Sequence, residues 1–217
     1  SRSNDGTKTV QELQAALRSN PRIDTYHRVL SSTSLNAAVN LSSRAKQLSQ
    51  DEQRLLVQLA QVSIDQGKVA SGYQILPLRL PGISAANVAN WENLASVYQA
   101  MIGSINGSDV HAVNTLSQAV SLDPQNPILH DRLGLLYQRI GNKDLAQRKF
   151  EDSVIVKANY GPAHFHLSKM LIENKGEVAR IVSELTLAKK YLPENDPAMG
   201  EINQNLETYN KQLEDLQ

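Results

Sequence analysis

Three prolines, Pro127, Pro162 and Pro197, recur at a constant interval of 35 residues, and each follows a residue suited to a helix start: Asn126, Gly161 and Asp196. Proline lacks an N–H and has its φ held near the helical value, so it fits the first helical position behind an N-cap. A helix start that returns every 35 residues predicts a repeat array with one two-helix unit per period. One such unit cannot bury its apolar face alone. Stacking buries it, and the stack offers an extended surface whose usual use is to hold another molecule.

The second half of the chain carries this pattern most cleanly. Pro127–Ile140 places Leu133, Tyr137 and Ile140 on one face, a Gly141-Asn142 turn follows, and Lys143–Val156 repeats the face with Ala146, Phe150, Ser153 and Val154. Glycine and asparagine accept the left-handed conformation that ends one helix and lets the next fold back. The next unit reads as Ala163–Asn174, a turn at Lys175-Gly176, and Glu177–Tyr191. A last helix opens at Asp196-Pro197 and runs towards Leu216 with Met199, Ile202, Leu206, Tyr209 and Leu213 on one face. One unit earlier, Asn87–Met101 carries Trp91, Leu94 and Tyr98, and a longer glycine-containing loop leads to Val110–Leu122.

The first eighty residues read as helical but irregular. Thr9…Glu12 and Ser49…Glu52 have the spacing of capping boxes. Helices are expected at Thr9–Ser19, Pro21–Ser31, Ser34–Leu48 and Gln50–Gln66, with a shorter one near Lys68–Ile75. Two prolines and a glycine in 76–83 prevent a continuous helix there, so that stretch is expected to be an apolar linker. Residues 1–8 carry neither an initiator methionine nor a signal-peptide pattern and are expected to be a disordered lead of a mature chain or of a piece of a longer one.

Composition narrows the function classes. Lys+Arg and Asp+Glu both number 22, giving zero formal net charge, whereas nucleic-acid and anionic-membrane surfaces need clustered excess base. The absence of cysteine excludes disulfides, thiolate metal sites and thiol nucleophiles. No apolar run approaches the ~20 residues that cross a bilayer.

Residues 88–193 resemble the tetratricopeptide repeat family. Its consensus has a large ring, then Leu-Gly, then Tyr on the first helix, and Ala, an aromatic and Ala on the second, with a closing proline. The first unit offers Trp91, Leu94-Ala95, Tyr98, Ala112, Leu116, Ala119 and Pro124. The second offers His130, Leu133-Gly134, Tyr137, Ala146, Phe150 and Ser153, with Ala158 where proline is expected. The third offers His164, Leu167-Ser168, Leu171, Leu185, Ala188 and Pro193, and departs at Ile181, where a small residue is preferred. The resemblance implies an all-α, right-handed α-solenoid of tetratricopeptide-type helix pairs. Its three units are 88–124, 127–160 and 161–194, preceded by degenerate helical repeats in 9–83 and followed by a cap helix in 195–217, all in one continuous domain.

A finer resemblance rests on order. Asn20–Leu30, Asn87–Leu94, the long turn and Ser121–Pro127 follow one another as in the C-terminal soluble tails of bacterial O-antigen polymerase/ligase-like membrane proteins. It implies an extracytoplasmic segment, periplasmic or on the cell-surface side, tethered through a membrane-embedded parent chain and making no membrane contact of its own. The alternative is a free-standing adaptor, cytoplasmic or periplasmic, that binds a peptide segment of its partner.

Residue chemistry points away from catalysis. His164 and His166 are two apart and face different sides of a helix, so a shared metal is not expected; His130 and His164 stand at large-residue packing positions. No serine sits in a Gly-x-Ser-x-Gly elbow, and the loop 103–107 lacks the Lys-Ser/Thr of a phosphate cradle. No catalytic, cofactor or metal residue is assigned.

In the family the concave face is formed by the first helices. Carried over, the groove residues are Glu92, Asn93, Ser96 and Gln99; Ile128, Asp131, Arg132, Leu135, Gln138 and Arg139; and Phe165, His166, Lys169, Ile172 and Glu173. Some members clamp a C-terminal carboxylate with Lys and Asn on one unit and Lys and Arg on another. Here those positions hold Glu92, Ser96, Pro162 and His166, so that clamp is absent. The expected function is a non-catalytic interaction scaffold with a protein or peptide in the groove, and with no nucleic acid or cofactor.

Overall fold

The 35-residue interval is realised as antiparallel helix pairs. A computed structural model of the protein describes residues 2–21, 23–42, 49–72, 86–103 and 106–215, without the side chains of 2–7 and 42. These residues contain helices and turns and no strand. The helices are α1 (Arg2–Ser19), α2 (Asp24–Ser42), α3 (Gln50–Ser71), α4 (Val88–Ala100), α5 (Ser108–Leu122), α6 (Pro127–Arg139), α7 (Lys143–Val156), α8 (Gly161–Glu173), α9 (Val178–Tyr191) and α10 (Met199–Glu214).

The expected helices of the second half are all present, and the turns between them have a common geometry. After α6, Gly141 takes φ 83° and the Asn142 N–H donates to the Tyr137 carbonyl at 2.9 Å, a Schellman closure. Asn142 then caps α7 by accepting from the Leu145 N–H. After α8 the left-handed residue is Lys175 (φ 54°), not the neighbouring glycine, and the Gly176 N–H reaches the Leu171 carbonyl at 2.7 Å. The three prolines are not equivalent. Pro127 follows the cap Asn126 as expected. Gly161 is the first residue of α8 and not its cap, and glycine is needed there because a Cβ would meet the backbone of Tyr191 and Leu192 at 2.8 Å. Before α10, Pro197 stands in a turn in which Asp196 accepts from the Ala198 N–H at 2.9 Å.

The first half differs more from expectation. α1 begins at Arg2, inside the stretch expected to be disordered, and Thr9 therefore lies within a helix and starts none. α2 is one helix, not two. Nothing at Ser32-Thr33 breaks it, and the Ser32 hydroxyl is satisfied by the Val29 carbonyl within the helix. Likewise α3 runs through Gly67 to Ser71 and stops at Gly72 (φ 66°), while the capping box Ser49…Glu52 forms as read. Gly67 is a packing glycine: a Cβ there would lie 3.0 Å from Leu94 and from the Ser31 hydroxyl. The expected linker 76–83 lies outside the described residues.

The chain divides into two compact units, Ser1–Leu122 and Asp123–Gln217, whereas the repeat pattern predicts one continuous domain. Repeats touch chiefly their neighbours, so no single core need unite such an array. In the first unit α1 packs on α2, the α2/α3 pair carries α4, and α5 packs on α4. Its core includes Val10, Leu17, Leu30, Ala38 and Leu59. In the second unit the α6/α7 and α8/α9 pairs adjoin through α7 and α8, and α10 covers α9. Phe150, Leu167, Met170, Leu185 and Ile202 are its buried centre.

Candidate functional site

A short signature positions every first helix: a ring, two spacers, a leucine and a small residue. It stands at His130–Leu133–Gly134, at His164–Leu167–Ser168, at Trp91–Leu94–Ala95 and, less legibly from sequence, at His27–Leu30–Ser31. The α2/α3 pair is therefore a regular pair with lengthened helices. Its second helix repeats the spacing of Ala146, Phe150 and Ser153 with Ser63, Gly67 and Ala70, all buried. The exchange of the aromatic for Gly67 hides the match. In its place Ser31 and Ser63 donate hydroxyls to each other's carbonyls at 2.7 and 2.8 Å.

The histidines do the same work in three units. Nε2 of His27, His130 and His164 lies 2.8, 2.9 and 2.9 Å from the carbonyl six residues earlier, on Pro21, Pro124 and Ala158. Each ring thus ties the entry turn to its helix by satisfying an acceptor that the helix ladder cannot reach. The other nitrogen faces the second helix of the pair. Nδ1 of His27 lies 2.7 Å from the Gln66 amide, that of His130 3.7 Å from Asp152, and that of His164 2.6 Å from Glu184.

On the face where the groove is expected, several residues are committed to neighbouring helices. In the first unit Asn93 donates to the Ser31 hydroxyl at 3.0 Å and Ser96 donates to the Glu92 carbonyl; Glu92 and Gln99 are half-buried. In the second unit α6 and α8 are joined by rungs 35 residues apart. The His166 Nδ1–H donates to Asp131 at 2.8 Å, and Gln138 donates to Glu173 at 3.5 Å. Asp131 is buried, and its charge, after burial itself, raises the pKa of Tyr160 above the ordinary phenol value. Glu173 also pairs with Lys143 at 3.0 Å.

Phe165 and Ile172 are half-buried against the core, whereas Ile128 and Leu135 are 49 % and 38 % exposed. Arg132 is half-buried and Arg139 exposed. His164 and His166, two residues apart, reach opposite ways, to α9 and to α6.

Beside this face is a pocket that sequence reasoning misses. It has a volume of about 400 Å³ and is bounded by Pro162, Phe165 and His166 of α8, Leu192, and Asp196, Pro197, Ala198 and Glu201 at the start of α10. Only Phe165 and His166 of these are among the groove residues expected from sequence; Asp196-Pro197 carries there no signal beyond that of a helix start.

Solved structures superpose on this arrangement across most of the chain. MamA matches with a TM-score of 0.60 at 16 % identity, over 87 % of this chain and 89 % of its own. A thermophilic TPR protein of Thermus thermophilus matches with 0.54 at 15 %, over 95 % and 91 %. The fold is that of the tetratricopeptide solenoid. YrrB, a TPR protein with an unusual peptide-binding site, matches with 0.52 at 15 %, over 93 % and 84 %. No family model and no curated protein matches the chain. Among its described residues no helix is long and apolar enough to cross a membrane.

Proposed function

We propose that this tetratricopeptide array is a non-catalytic protein-interaction scaffold that holds an extended segment of a partner against its first helices. The observation that carries this reading is on α6, where Ile128 and Leu135 remain exposed although the helix's other face is fully packed. Apolar side chains left in water on a helix row, among polar and basic residues, favour an apolar partner surface. The peptide-binding site described for YrrB is consistent with that use of the fold.

Its biological setting is the soluble extracytoplasmic tail of an envelope polysaccharide polymerase/ligase-like membrane protein. The order of sequence blocks from Asn20 to Pro127 supports this. Reading the gene upstream of Ser1 tests the setting: several apolar spans of ~20 residues are expected there.

The scaffold itself is tested with a displayed random-peptide library selected on the wild type. The retained peptides should bind a Leu135→Asp variant at least about tenfold more weakly, a loss of ~1.4 kcal/mol, with an unchanged melting temperature. Equal binding would remove the α6 face from the site.

A further inference from the structure

The pocket between α8 and the start of α10 has walls of two kinds. Pro162, Leu192, Pro197 and Ala198 are apolar, while Phe165 presents an aromatic ring and Asp196 and Glu201 supply carboxylates. The protein already places a cation in part of this setting. The Lys169 ammonium lies 5.2 Å from the centre of the Phe165 ring and 3.1 Å from Glu201. Ring and carboxylate together therefore form a seat that a positive charge occupies from within the chain. Asp196 uses Oδ1 to hold the Ala198 N–H, which leaves its charge at the pocket with no lysine or arginine among the lining residues. His166 is held on its Nδ1 side by Asp131, which turns that edge of the ring towards α6.

We propose that this pocket binds the side chain of an arginine in the partner segment. The proposal rests on the scaffold reading and names one of its anchors. Charge decides the choice of side chain. An anionic residue or a C-terminal carboxylate would face Asp196 and Glu201, and a purely apolar residue would leave Asp196 unmatched. An arginine stem can lie along the prolines and Leu192. Its planar guanidinium can stack on Phe165 and donate to the two carboxylates in the fork geometry that suits them. Entry shifts Lys169 off the ring, so Lys169 acts as an internal competitor for the seat.

The test uses the whole chain and short acetylated, amidated peptides that differ at one central residue: arginine, its neutral isostere citrulline, leucine or glutamate. Binding is followed by the amide NMR signals of residues 162–169 and 192–201. The arginine peptide should shift these signals saturably, and citrulline should bind about tenfold more weakly because it keeps the shape without the charge. The pair Asp196→Asn and Glu201→Gln should weaken the arginine peptide to a similar degree; asparagine still caps the turn, which keeps the fold. Lys169→Met should strengthen it several-fold by vacating the ring. Equal binding of arginine and citrulline, tighter binding of leucine, or no shift at these residues would overturn the proposal. If library peptides nevertheless depend on Leu135, the scaffold reading stands with a different anchor.

Discussion

The ring of Phe150 lies where a side chain on Gly134 would have to be: a Cβ built on that glycine comes within 2.5 Å of Cε1 and 2.7 Å of Cδ1. The two residues are on α6 and α7, and their contact sets how closely the pair can approach. Phe150 is fully buried and cannot move aside without displacing Leu167 and its neighbours in the same cluster. Gly134→Ala should therefore cost about 1–3 kcal/mol through overpacking, although alanine is the better helix former. Phe150→Leu, costly alone, should recover part of that loss in the Gly134→Ala background. Urea unfolding of the two single variants and the double variant measures the coupling; strict additivity would show that the contact is not what constrains this glycine.

The residue that turns left-handed differs between the two Schellman turns, and stability should follow. Lys175 holds a left-handed φ of 54° where Gly141 holds 83° in the preceding unit. A side chain in that conformation costs about 1–2 kcal/mol, partly offset by the extra freedom glycine has when unfolded. Lys175→Gly is expected to stabilise by about 0.5–1 kcal/mol, and Gly141→Ala to destabilise by about 1 kcal/mol. Thermal unfolding of both variants shows opposite shifts if the backbone is the cause.

His164 makes stability depend on pH. Burial opposes its protonation. The hydrogen bond to Glu184, the Ala158 carbonyl and the Glu184 charge together outweigh burial and hold its pKa above the ordinary 6.5. Both ring nitrogens face acceptors, so only the imidazolium satisfies both contacts. Because the folded value is the higher one, the stabilisation is fully present below about pH 6.5 and is lost as pH rises through the folded value. Glu184→Gln should remove most of this window. Denaturant midpoints of wild type and variant should differ most below about pH 6.5 and converge as pH rises through the folded value. A gap that stays constant across the range would mean that Glu184 acts by packing alone.

The two-helix period, the helix pairs of the second half and the small residues that let them approach are legible in the sequence. That information is local and periodic: a proline or glycine at a fixed phase, and apolar residues three and four apart, act within one helix or one turn. The α2/α3 pair escapes because its match lies in His27, Leu30 and Ser31 while Gly67 stands in the aromatic position. Which turn residue goes left-handed, and that Gly161 is needed for its neighbour's backbone, depends on how separate segments meet in space.

The candidate site shows the same division. The chain positions identify which residues ride on first helices, and they cannot show that Asp131 is buried against His166 or that Lys169 spans Phe165 and Glu201. The Asp131–His166 and Lys169–Glu201 pairings are set by the packing of α8 on α6 and on α10. A rotation of α8 by one residue would leave the sequence pattern intact and separate both pairs. Sequence by itself determined tetratricopeptide-type helix pairs; tertiary packing decided which side chains are buried or paired and which stay exposed, because charge pairing and burial act across the distances that only the folded chain closes.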